Sequence, residues 1–140
     1  AEGYLTGIVE NIDNTEYSST SLTYENGDIT SISSKMNGLE NKFIYEPGEE
    51  SSTYHLPCLG LLEIHPLTFH IEALYAGLLG KDPRHFTIRS CPAGSNDEKT
   101  VYSYGFDKKG NPSRMICQTT YAGGQASYYP YTRNISISFE

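Results

Sequence analysis

Apolar and polar residues along this chain alternate in short runs separated by turn chemistry, the period of strands rather than of helices. The first clear case is Leu22-Thr23-Tyr24-Glu25-Asn26-Gly27-Asp28-Ile29-Thr30-Ser31-Ile32. Asn-Gly between β-favouring runs is a strong hairpin signal, because both residues tolerate positive φ. Beyond the turn, Thr30, Ile32, Ser34 and Met36 fall on one side and Ser31, Ser33 and Lys35 on the other. That spacing predicts a half-solvated strand. Lys42-Phe43-Ile44-Tyr45 predicts another arm, with a Pro47-Gly48 turn over 46–50 and a return strand over 51–55.

Thr87-Ile88-Arg89 predicts a brief strand and 92–99 a polar loop. Thr100, Tyr102, Tyr104 and Phe106 then alternate with Val101, Ser103 and Gly105, and a turn follows over 107–111. Pro112 suits the first position of a strand, where no ladder donor is required, and Met115 and Cys117 share a face beyond it. Residues 121–125 read as a turn. In the tail, Ile135, Ile137 and Phe139 point one way, predicting a final strand over 134–139.

One segment breaks the period. Ile71, Leu74, Tyr75, Leu78 and Leu79 recur at helical spacing, although Gly77 weakens the pattern. With Gly80 as a C-terminal cap, 69–79 predicts a short helix or a turn-rich buried loop. An open antiparallel sheet leaves one apolar side needing cover, and Leu74 and Leu78 are expected to supply it. The fold class expected is therefore mainly β: an antiparallel meander or curved open sheet, a partial barrel, with one short covering helix.

At 140 residues the chain holds one β-rich domain over 1–140, either entire or part of a longer chain. Hydrophobic residues make up 37%, low but enough to cover one sheet face. The aromatics are 12 Tyr and 5 Phe with no Trp, which suits half-buried strand surfaces where a ring packs while its hydroxyl stays wet. Net charge is -7, which disfavours nucleic acid as a partner. No run approaches the about 20 apolar residues of a spanning helix. The chain begins at Ala1 without a signal peptide, as a processed secreted protein or a piece of a longer chain would. Cys58, Cys91 and Cys117 are odd in number, so they cannot all pair within the chain. A Cys91–Cys117 disulfide and three reduced thiols both stay open.

The two best hairpins echo each other. Tyr24-Glu25-Asn26-Gly27-Asp28-Ile29-Thr30-Ser31-Ile32 can be set against Phe106-Asp107-Lys108-Lys109-Gly110-Asn111-Pro112-Ser113-Arg114-Met115. In each, an aromatic precedes an acid, a Gly turn follows, and a hydroxyl residue leads into an apolar strand. These motifs, with Ala73-Leu74-Tyr75-Ala76-Gly77-Leu78-Leu79-Gly80-Lys81 between them, resemble a family of cell-envelope proteins from Bacteroides-type gut bacteria. That family is a domain of unknown function with a porin-like fold. The resemblance covers most of 20–120, and its aromatic-Asp-Gly hairpins also occur in YD-type surface repeats. It implies a lipid-anchored or secreted outer-membrane or envelope protein built from curved antiparallel strands, and it brings no catalytic residues with it.

Candidate chemistry is sparse. His55, Cys58, His65 and His70 are proper ligand types, but a second Cys at matching spacing is missing, so no metal is expected. Cys58 or Cys91 with His85 lacks any sign of a nucleophile elbow or oxyanion hole. Gly-x-Ser-x-Gly is absent, and Gly123-Gly124 has no following Lys-Ser/Thr for phosphate. Glu63, Glu72, Asp97 and Glu98 carry little information in an acidic chain. Asn134-Ile135-Ser136 has the form of a glycosylation acceptor within a strand. No catalytic residue and no cofactor is assigned.

Tyr121, Tyr128, Tyr129 and Tyr131, near Gln125 and Arg133, are the candidate ligand-binding residues. Tyrosines bring contact area at low entropy cost, whether to a sugar ring or a protein partner; the competing reading is packing across strands. The expected function is a non-enzymatic, envelope-associated binding or structural module. Its partner would be a glycan or an envelope protein, in the periplasm or at the cell surface. The alternative is a secreted hydrolase acting on a glycan or peptide.

Overall fold

Three two-residue turns set the first half of the fold. Asp13-Asn14 (φ 50° and 62°), Asn26-Gly27 (52° and 90°) and Asn37-Gly38 (51° and 79°) all take left-handed backbone at both positions. This is the turn whose twist matches that of paired strands. They join β1 (Gly7–Ile12), β2 (Thr15–Glu25), β3 (Asp28–Met36) and β4 (Leu39–Ser51). The second half comprises β5 (His85–Pro92), β6 (Glu98–Phe106), β7 (Pro112–Tyr121) and β8 (Tyr131–Ser136). The computed structural model describes residues 3–51, 80–95, 97–121 and 131–136, with backbone only at 131 and 133.

The strands form one eight-stranded sheet in the order β1-β2-β3-β4-β5-β6-β7-β8, antiparallel throughout and open rather than closed on itself. Among the described residues there is no helix, and none long and apolar enough to cross a membrane. The predicted helix over 69–79, with Leu74 and Leu78, lies outside the described residues.

One face of the sheet carries the core. In the first half Leu22, Ile29, Ile32 and Tyr45 are buried, with Leu5, Ile8, Tyr24 and Phe43 packed against them. In the second half Phe86, Tyr102, Met115 and Cys117 form the equivalent cluster, flanked by Tyr104 and Ile135. Toward the β1–β2, β3–β4 and β5–β6 turns, the same face changes from hydrocarbon to hydroxyl. Thr20 and Ser34 pair two rungs along from Leu22 and Ile32 and bond at 3.3 Å. Thr100 and Thr119 pair two rungs along from Tyr102 and Cys117 and bond at 2.8 Å. All four are buried, and each satisfies the other's hydroxyl, as a buried polar group requires. Ser18, two residues before Thr20 in β2, is also buried and donates to the Glu10 carboxylate.

The hairpin echo is structural. β2–β3 shifts register between Thr23 and Tyr24, and β6–β7 shifts between Gly105 and Phe106, so each has a bulge at its aromatic residue. The residue left over is Thr30 in one and Ser113 in the other. Each hydroxyl then bonds the carbonyl opposite it, Thr23 or Gly105, both at 3.3 Å.

Several expectations need correction. There is no turn over 46–50: β4 runs through Pro47 and Gly48 as a single strand to Ser51. Its ladder with β5 shifts on both sides of Pro47. A bulge tolerates the missing N–H, so the proline irregularises the strand instead of reversing it. The strand predicted at 87–89 is the middle of a longer β5, and β8 begins three residues earlier than the tail pattern indicated, at Tyr131. Ile137 and Phe139 lie outside the described residues. β1 and the first half of β2 carry no clean alternation in sequence. Cys91 and Cys117 are both free. Cys91 pairs with the half-exposed Ile44, whereas Cys117 lies in the buried cluster, so the two thiols are on opposite faces with β6 between them.

Candidate functional site

The densest polar chemistry gathers where the β2–β3 turn meets the lead-in to β5. β3 and β4 pair only as far as Ser31 and Ile44; above that rung β3 pairs with β2, while β4 continues along β5 to Ser51–His85. The opening is bridged from the first residue of β5 and the one before it. Arg84 N donates to the Gly27 carbonyl at 2.9 Å, and His85 N donates to Asp28 Oδ1 at 2.7 Å. His85 Nδ1 lies 2.8 Å from Asp28 Oδ2. One buried carboxylate therefore holds both the backbone and the ring of a residue 57 positions away.

The N-terminal segment locks onto the same end. Tyr4 bridges in parallel to Lys81, and Lys81 N donates to the Gly3 carbonyl at 2.8 Å. The Tyr4 ring stacks on Tyr24 at 4.8 Å, and the Lys81 ammonium sits 5.7 Å from its centroid. Gly80, at φ 100°, closes this strap; a Cβ there would come within 2.6 Å of the Gly3 carbonyl oxygen. Sequence reading missed this whole constellation. Asp28 was visible only as a hairpin residue, and no periodicity links it to His85.

An Asp–His pair has two members of a relay that activates a nucleophile, since a carboxylate on Nδ1 orients the ring. Among the described residues, no hydroxyl or thiol bonds that ring. Cys91 is six positions along β5 from His85, about 20 Å at strand rise, so the two do not meet. Nor do any three His, Cys, Asp or Glu among the described residues gather closely enough to hold a metal ion. His55, Cys58, Glu63, His65, His70 and Glu72 lie outside the described residues. Asp97 is exposed in the β5–β6 loop, and Glu98 starts β6 opposite Tyr121.

Of the candidate tyrosines, Tyr121 ends β7, half-buried. Tyr131 starts β8, and its backbone pairs with Thr119, close to Tyr121 along the ladder. Tyr128 and Tyr129 lie outside the described residues. At the other end, Asp107 folds back on its own turn, accepting from Lys109 N, Asn111 N and Asn111 Nδ2 at 2.8, 2.8 and 3.0 Å. The Asn111 side chain is the largest cause that holds this carboxyl below its ordinary pKa.

A single open meander with paired aromatic hairpins defines a class, and the chain belongs to it: the family described as a domain of unknown function (DUF4595) with porin-like fold, whose model matches residues 1–114. The crystal structure of a porin-like protein from Bacteroides uniformis is similar at a TM-score of 0.82 and 24% identity, over 98% of this chain. That likeness speaks for the fold. The match takes in 54% of the other protein, so this chain spans about half its length. No curated protein matches. A porin-like, Bacteroides-type domain fits an envelope location.

Proposed function

We propose that this domain is a non-enzymatic, envelope-associated binding or structural module, working in the periplasm or at the cell surface. The observation that carries the reading is the use made of its polar side chains. Ser90 bonds Tyr102, Thr100 bonds Thr119 and Asp28 bonds His85, so the buried polar groups hold strands together. The family and the fold support an envelope setting. The binding surface proposed is the tyrosine group Tyr121, Tyr128, Tyr129 and Tyr131, facing a glycan or an envelope protein. The acidic charge disfavours nucleic acid.

Glycan-array binding on the purified domain, repeated with Tyr121→Ala and Tyr129→Ala, tests this. Retention of a polysaccharide by the native protein, weakened about tenfold or more by either change, supports the surface, as loss of a stacked ring predicts. Binding that survives both substitutions moves the surface elsewhere on the sheet. Turnover of a glycan or peptide would replace the reading with a hydrolase.

A further inference from the structure

We infer that Asp28 is a latch, and that the sheet opens between β3 and β4 when it lets go, ahead of the rest of the fold. The β3–β4 ladder stops at Ser31–Ile44, so among the described residues no strand pairing closes the seam above that rung. Among the described residues, three hydrogen bonds join the top of β3 to the lead-in to β5, beside the Tyr4–Lys81 strap: Arg84 N to the Gly27 carbonyl, and His85 to both oxygens of Asp28. Two of these three end on one side chain. β4 is bulged around Pro47 at the same level, which makes its upper half the more compliant edge. Behind the seam, Ile29 and Tyr45 are 2% and 4% exposed, so opening would uncover apolar surface.

The sister hairpin shows what the residue after the turn glycine does elsewhere. β6–β7 has the same bulge and the same hydroxyl-to-carbonyl bond, and Asn111, which follows Gly110 as Asp28 follows Gly27, is spent on Asp107 inside its own turn. Asp28 instead reaches out to another strand. Local opening at sites with few cross-links is how sheets come apart in parts.

Amide hydrogen exchange on the intact domain, resolved by residue, tests the latch in Asp28→Ala and His85→Ala. Asp28→Ala removes both side-chain bonds, whereas His85→Ala keeps the backbone bond to Oδ1. Exchange over the upper β3–β4 rungs, Ser31–Ile44 to Ser33–Lys42, should rise tenfold or more in the first and less in the second. The lower rungs at Met36–Leu39 and the β6–β7 ladder should stay unchanged. Asp107→Asn, the control, should leave the β3–β4 ladder alone. Equal acceleration in both hairpins, or none in the upper rungs, overturns the latch. If Asp28→Ala does not fold, His85→Ala decides by the same pattern.

Discussion

The Ser90 hydroxyl and the Tyr102 phenol lie 2.9 Å apart on the buried face, joining neighbouring strands through side chains. Tyr102→Phe leaves Ser90 buried without this partner and should cost about 1–3 kcal/mol in urea unfolding. Ser90→Ala in the same background should recover part of that loss. Additive costs would show that the pair does not couple.

Ile32 is fully buried in the first cluster, while Leu39 is 74% exposed. Ile32→Ala should cost about 2–5 kcal/mol and Leu39→Ala no more than about 0.5 kcal/mol. Denaturant midpoints of the two variants should therefore separate widely; similar midpoints would mean that Ile32 is not part of a packed core.

Gly80 and Gly27 both have positive φ, yet they differ in what surrounds them. A Cβ on Gly80 meets the Gly3 backbone at 2.6 Å, whereas on Gly27 the closest approach, 2.8 Å, is to the tip of the Tyr4 side chain. Both Gly→Ala changes carry the left-handed penalty of about 1–2 kcal/mol. Gly80→Ala should cost more, because a backbone oxygen cannot swing aside. Thermal melts of the two variants check the order.

Asp107 holds its proton less readily than a free aspartate, chiefly through the Asn111 side chain. A depressed folded-state pKa gives a contribution present above the unfolded pKa and lost as pH falls through the folded one. The carboxyl resonance should titrate below the ordinary aspartate range in NMR. Asn111→Ala should move its midpoint up toward that range, and an unmoved midpoint would assign the effect to the backbone donors instead.

Much of the meander was legible because its cues are local. Asn26-Gly27 fixes one hairpin within four residues, and the run from Thr100 to Phe106 shows which side is buried. β4 was misread because Pro-Gly is normally a turn, and only β5 alongside reveals that Pro47 is a bulge. The Asp28–His85 bond was illegible for a different reason: a contact across 57 residues leaves no period. The tyrosine group was legible as composition only, since Tyr121 and Tyr131 are brought near each other by the β7–β8 register.

From β2 onward, each described strand pairs with the strand that precedes it in the chain. A chain emerging from the ribosome N-terminus first can add each strand to an edge already in place, waiting for nothing still to be translated. Local pairing of this kind keeps loop-closure costs small and assembly fast. The exceptions are Tyr4 with Lys81 and Asp28 with His85, which tie early residues to a segment 77 and 57 positions later in the chain. Those ties can be made only once the first four strands have been synthesised, so they suit the fastening of a half-built sheet better than its nucleus.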